Sequence, residues 1–333
     1  MEAVQYKRLR YIDLFKGILI SMVVLGHIVY LLGLYTGIDV YIFPYILVSA
    51  ICNDWIAPYY MASFFFVTGY CSTFNKSMKD QIVIDFKRLV VPAVVIPIIM
   101  NIIIYLLCAD IKTFIPKSLP WFLMALFLSK LIFKYIKDLN IKLVVKWCVL
   151  FFLLGIGVIG MNKFKSYNFF SLFQACCFTI FISMGYYLKK YQPRVIFGIC
   201  ALGIYMLCVI LSKFILGSCP SLCDIITFNL KQTLLYVLMA MSGTISLGVL
   251  SHYIGQSKIL EYLGKNSLVI YLTHFSFLML IPILFKEYII QYYSNVSFAF
   301  FLIISISIGA CLWGCMWSVV FKLKTFKWII GKN

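Results

Sequence analysis

Apolar runs of roughly 17–25 residues recur along the whole chain and alternate with short polar segments. Runs of this length cross a bilayer as α-helices, because a helix satisfies its backbone hydrogen bonds internally. The pattern predicts an all-α bundle of about ten transmembrane helices. We expect these helices to form a single domain over residues 1–333, with no appended soluble domain. The predicted spans are residues 12–35, 56–74, 92–109, 121–136, 144–160, 169–188, 195–216, 230–250, 267–285 and 298–320.

The composition agrees with this pattern. Hydrophobic residues make up 63% of the chain and charged residues 12%, about half the charged share of soluble domains. We therefore expect a multi-pass protein of the plasma or inner membrane, with the lipid bilayer as its partner. No cleavable signal pattern precedes the first apolar run, so that run is expected to stay in the mature protein.

The net charge of +18 could suggest a nucleic-acid partner, but the placement of the cations argues otherwise. If the N-terminus is cytoplasmic, 21 of the 29 lysines and arginines fall on inner segments. This bias is the positive-inside pattern, and it predicts that both termini are cytoplasmic. The basic charge therefore indicates topology, and no nucleic acid is expected to bind.

Acidic and metal-binding residue types restrict the function further. Of eleven carboxylates, only Asp13 falls within a predicted span, whereas ion-coupled transporters usually need acids at membrane depth. A uniporter or a flippase for lipid-linked glycan stays open as an alternative. No zinc-type cluster of Cys and His is apparent, so no metal site is predicted. Cys219 and Cys223 in an outer loop could form a disulfide or stay free thiols.

Lys16 and His27 lie eleven residues apart in the first apolar run. On a helix this spacing corresponds to a rise of about 16 Å along the axis. The second side chain then points within roughly 20° of the direction of the first. One helix face therefore carries a cation near its start and an imidazole near mid-membrane, where ionisable groups are costly and often functional. Alternatively, Lys16 reaches the interface paired with Asp13, and His27 bonds a neighbouring helix.

The segment between the second and third predicted spans, residues 75–91, is basic and partly amphipathic. It contains Lys87 and Arg88 on the inner side. Such segments are attracted to anionic lipid headgroups, or they bind a phosphorylated cytosolic ligand.

Several motifs together resemble the acyltransferase-3 membrane family, most closely its fucose 4-O-acetylase-like branch. Lys16 followed after ten residues by His27 is similar to its first-helix signature, and the remaining motifs follow in family order. One departure is Tyr60, which stands where many of the fucose-acetylase-like relatives have His. The other motifs are Phe-Phe-Phe-Val-Thr-Gly-Tyr at residues 64–70, Lys-Arg-Leu at 87–89, Trp-Phe-Leu at 121–123 and Asn-Ser-Leu-Val-Ile-Tyr-Leu-Thr-His at 266–274.

This resemblance implies transfer of an acetyl or other acyl group from cytosolic acetyl-CoA (acyl-CoA). The acceptor would be a hydroxyl of a cell-surface or capsular polysaccharide, or of its lipid-linked precursor. It implies that Lys16, Lys87 and Arg88 bind the anionic donor, and we add Asp13 and Trp121 to this donor-binding set. His27 would be the general base, since a neutral imidazole accepts a hydroxyl proton.

Tyr271 and His274 are three residues apart and share a helix face. They either take part directly in the reaction or form a Tyr–His pair that satisfies polar groups between helices. Direct transfer is favoured over an acyl-enzyme, since no Ser or Cys neighbours a base in sequence, although Ser63, Thr68 or Cys71 could lie close in space. We allow for a homodimer as a further partner.

Overall fold

The computed structural model describes residues 10–108, 120–164, 171–220 and 230–331. Within these ranges the chain is helical and contains no strand, which confirms the all-α prediction. The helices are α1 (Arg10–Thr36), α2 (Tyr45–Ala50), α3 (Ala57–Cys71), α4 (Met78–Asp85), α5 (Val91–Cys108), α6 (Trp121–Asp138), α7 (Leu143–Lys163), α8 (Leu172–Leu188), α9 (Val195–Leu216), α10 (Leu230–Tyr253), α11 (Lys258–Lys265), α12 (Ser267–Leu284), α13 (Lys286–Tyr292) and α14 (Val296–Val320).

Seven helical segments in the described part of the chain are long and apolar enough to cross a membrane. They are α1, the continuous α4–α5 segment, α7, α9, α10, α12 and α14. The other three predicted spans fall on α3 and α8, which have 15 and 17 residues, and on α6, which carries four charged side chains. The membrane class follows from the seven helices, while ten spans and cytoplasmic termini stay predictions.

α1 is the central helix of the bundle. It packs against α3, α10, α11, α12 and α14, and its apolar side chains are buried on several sides. A helix that is hydrophobic all round is expected where other helices surround it. Its two polar side chains of interest, Lys16 and His27, therefore face protein neighbours at two different depths.

The short helix α11 lies closely against the first turns of α1. A Cβ atom on Gly17 would overlap the carbonyl oxygen of Leu260, and one on Gly264 would overlap the carbonyl oxygen of Asp13. Glycine at both positions lets the two backbones touch, as small residues do between membrane helices. This contact fixes the helix segment that carries Asp13 and Lys16.

The helix that contains the third predicted span begins earlier than the hydrophobic pattern indicated. The helical path starts at Met78, and a π-helical turn (Phe86–Val90) joins α4 to α5. Asp85 lies buried in this path and pairs with Lys130 of α6. A second buried carboxylate therefore precedes the third predicted span, and a cation 45 residues away makes its burial tolerable.

The connection between α1 and α3 is itself partly helical. It contains α2, which continues through a π-helical turn (Ile51–Ile56) into α3. Whether Cys219 and Cys223 form a disulfide or stay free thiols stays open, because Cys223 lies outside the described residues.

Candidate active site

The first-helix face contains Lys16 close to its start and His27 beyond its middle. The Lys16 ammonium lies 3.0 Å from the Asp13 carboxylate, so the pairing named as the alternative interpretation is present. The Asp13 side chain is 3% exposed and that of Lys16 is 23% exposed. Asp13 therefore holds the ammonium at one point of the face, about 16 Å along the helix from His27.

His27 faces α12, where it meets a second histidine. Its ring centroid lies 5.5 Å from that of His274 and 4.6 Å from that of Phe275. His27 is half-buried, whereas His274 is fully buried behind it. Among the described residues, His27 makes these ring contacts and no hydrogen bond, so both of its nitrogens are available.

Hydrogen bonding fixes the orientation of His274. Its Nδ1 lies 2.7 Å from the carbonyl oxygen of Tyr271 and 3.2 Å from that of Ile270. A carbonyl only accepts, so in the neutral ring Nδ1 bears the hydrogen and Nε2 bears the lone pair. Nε2 is buried and has no hydrogen-bond partner in the described part of the chain. A buried acceptor without a partner is costly, which is typical of functional groups.

An aromatic path leads from the two histidines to Trp121. The Tyr271 ring lies 5.9 Å from His274 and 5.1 Å from Phe122, and Phe122 lies 6.1 Å from Trp121. The structure therefore brings Tyr271, His274 and His27 together, and it places Trp121 two rings away. The shared helix face of Tyr271 and His274 agrees with the sequence-based expectation.

Comparison with known families decides the general class of chemistry. The family model described as an acyltransferase domain, that of the acyltransferase-3 family, matches residues 9–318. The chain belongs to the acyltransferase-3 family. It is a multi-pass membrane acyltransferase, and the matched region includes every helix that forms the site. No curated protein and no solved structure matches the chain.

The two remaining predicted donor residues of this acyltransferase lie elsewhere. Lys87 and Arg88 are exposed on the π-helical turn before α5, and the backbone of Gly331 lies against them. That turn packs against α4, α5 and α6, whereas the helix that carries Lys16, α1, packs against α3, α10, α11, α12 and α14. The structure therefore does not join the two groups of basic residues that the sequence assigned to one donor.

The hydroxyls considered for an acyl-enzyme are bonded away from His27. The Ser63 hydroxyl lies 2.7 Å from that of Thr244 and donates to the carbonyl of Tyr59, and Thr68 donates to the carbonyl of Phe64. Within the described ranges, no group of three or more His, Cys, Asp or Glu could hold a metal ion.

Reasoning from the sequence missed Phe275 and Phe178, and it named Phe122 only as part of the Trp-Phe-Leu motif, without a role. The Phe275 ring lies 4.6 Å from that of His27 at a tilt of 45°, and Phe122 lies between Tyr271 and Trp121. Phe178 lies 6.0 Å from Trp121 on its far side. Adjacency to His274 and Trp121 was the available signal for Phe275 and Phe122, whereas Phe178 carried none.

Proposed function

We propose that this acyltransferase moves an acetyl group from cytosolic acetyl-CoA to a carbohydrate hydroxyl in the cell membrane. The acceptor is a surface or capsular polysaccharide, or its lipid-linked precursor, as in the fucose 4-O-acetylase-like branch. The observation that carries the proposal is the contact of His27 with His274. The two ring centroids lie 5.5 Å apart, and both side chains lie within helices long and apolar enough to cross a membrane.

His27 serves as the general base. A nitrogen of its neutral ring takes the proton of the acceptor hydroxyl as that oxygen attacks the thioester carbonyl. The bond from carbonyl carbon to sulfur then breaks, and the departing sulfur takes the same proton from the imidazolium. The products are an O-acetyl ester and CoA thiol, so the histidine returns to its starting form. Its partial exposure lets an acceptor reach it.

His274 orients His27. Its Nδ1–H is committed to the Tyr271 carbonyl, so Nε2 can accept an N–H from His27 after a small ring movement across the 5.5 Å centroid separation. That bond would place the hydrogen of His27 toward His274 and its lone pair toward the acceptor. In hydrolase triads, a second side chain fixes the tautomer of the catalytic histidine in the same way.

Lys16 and Asp13 contribute to donor binding. The ion pair uses one donor of the ammonium and leaves two for phosphate oxygens of the donor. The rise of about 16 Å from Lys16 to His27 leaves room for an extended arm that carries the thioester to the base. Lys87 and Arg88, exposed on the predicted cytoplasmic side, attract the anionic donor before it enters.

The test is mass spectrometry of surface glycans from cells with the gene, without it, and with the gene encoding His27→Gln. The proposal expects loss of an acetyl mass increment in both altered strains, with the polymer intact. A strain that encodes His252→Gln, changing an exposed histidine on α10, should keep the acetyl group. Loss of the whole polymer would favour a glycan flippase, and an unchanged glycan profile would contradict the proposal.

A further inference from the structure

Two lysines from different helices meet at one tyrosine ring on the predicted cytoplasmic side. Lys189 directly follows α8, and its Nζ lies 4.0 Å from the ring centroid of Tyr186. Lys137, in the last turn of α6, has its Nζ 5.8 Å from the same centroid. The ring of Tyr186 is held in place by Phe74 and Phe133, so it offers a fixed surface.

Both ammonium groups also contact the backbone just beyond α3. Lys189 donates to the carbonyl of Ser72 at 2.9 Å, and Lys137 donates to the carbonyl of Phe74 at 3.1 Å. An ammonium has three donors, so each lysine keeps donors for a ligand. The carbonyl contacts hold the two cations around the same short loop.

The charge of this pair is not balanced within the described structure. Lys189 has no carboxylate within ion-pair distance there, and the carboxylate near Lys137, Asp138, also pairs with Lys134. Burial and the charge of Lys137 both lower the pKa of Lys189. Two partly buried like charges destabilise each other, and a bound anion would remove that cost.

We propose that Lys137, Lys189 and Tyr186 form a binding site for a phosphate monoester. We assign the 3′-phosphate of the CoA donor to it. The assignment to CoA rests on the proposed function. It is supported by position, because Tyr70, at the end of α3, lies with its hydroxyl 2.7 Å from that of Tyr11 at the start of α1. The site therefore lies at the foot of the helix that carries Lys16 and His27.

This position suits the far end of the donor. Lys16 lies five residues above Tyr11, about 7.5 Å along α1, and His27 lies a further 16 Å or so toward the outer side. A donor with its thioester at His27 and its diphosphate near Lys16 would leave its nucleotide phosphate close to the inner surface. A monoester phosphate carries nearly two charges, which suits two ammonium groups.

The test compares acetyl-CoA with 3′-dephospho-acetyl-CoA, using the purified full-length protein in nanodiscs. For the native protein we expect a KM about 10-fold lower for acetyl-CoA. In Lys189→Met, that difference should fall to about 2-fold or less, through a higher KM for acetyl-CoA with kcat unchanged. Lys190→Met is the matched control, because Lys190 is exposed and lies over Tyr191 instead.

A binding measurement separates this proposal from the acyl transfer itself. Adenosine 3′,5′-bisphosphate should raise the Tm of the native protein and of Lys190→Met, but not of Lys189→Met, even if no acetyl transfer is ever detected. An equal rise of KM for both donors, or a Tm rise that survives Lys189→Met, would overturn the site. If only binding to vesicles containing phosphatidic acid depended on Lys189, the monoester site would stand with a lipid headgroup as its ligand, and the assignment to CoA would fall.

Discussion

At the scale of single residues, the two imidazoles of the site have different environments and so suit different roles. His27 is half-buried and has both nitrogens available, whereas His274 is fully buried with Nδ1 committed to a backbone carbonyl. A base must be reached by its substrate, and an orienting group must be fixed. This difference supports the proposed roles, in which His27 is the base and His274 orients it.

The orienting role predicts which substitutions His274 tolerates. His274→Leu removes the acceptor, and we expect kcat to fall about 10–100-fold with little change in the donor KM. His274→Gln restores an acceptor oxygen and should recover part of the lost rate. The measurement is steady-state acetyl transfer by purified variants of equal Tm. Equal activity of the Leu and Gln variants would show that the acceptor is not what matters.

Lys16 and His27 could be predicted from the sequence because their relation lies within one helix. Their eleven-residue spacing places them on one face whatever the rest of the fold does. The contact of His27 with His274 could not be predicted, since it joins helices from opposite ends of the chain. The Asp85–Lys130 pair was missed for the same reason.

At the scale of helices, the site depends on how closely α11 lies against α1. The first turns of α1 carry the Asp13–Lys16 pair, and the backbone of α11 touches them at Gly264. The apolar runs predicted the helices themselves, but they carried no information on which helices contact each other. Glycine inside a helix was a usable signal, because it lowers helix propensity and is often kept for close packing.

The close contact between α11 and α1 predicts that adding a single methyl group at Gly264 destabilises the protein. Gly264→Ala adds a Cβ that overlaps the carbonyl oxygen of Asp13, so we expect it to lower stability by about 1–3 kcal/mol and to raise the donor KM. Gly203→Ala on α9 is the control, because a Cβ there meets open space and alanine favours a helix. Thermal unfolding of both variants in detergent decides the matter. A Gly264→Ala protein as stable and active as the native one would contradict the packing account.

At the scale of the whole molecule, the proposed anionic donor has to enter the bundle from one side of the membrane. The sequence predicted that side from the distribution of cations. In the structure Lys16 lies in the second turn of α1, Lys87 lies in the π-helical turn before α5, and Lys189 directly follows α8. The membrane class followed from the length of the apolar runs. Helix α6 carries several charged side chains toward its end, so its composition alone does not identify it as a membrane span.

Sidedness can be measured on the intact protein. In a background without its twelve native cysteines, Lys16→Cys should react with a membrane-impermeant thiol reagent from the cytoplasmic side, and acetyl-CoA should slow that reaction. Leu19→Cys, at a fully buried position on α1, should label poorly from either side. Labelling of Lys16→Cys from the outer side, or labelling that acetyl-CoA never slows, would contradict the predicted topology or the donor path.

The most direct test of the central claim is the rate of acetyl transfer by purified His27→Ala protein in nanodiscs, with acetyl-CoA as donor and cell-surface glycan as acceptor. Loss of general-base catalysis predicts a fall in kcat of about 10²–10⁴-fold, with Tm and donor binding unchanged. A well-folded His27→Ala protein that still transfers acetyl groups at nearly the native rate would contradict the account.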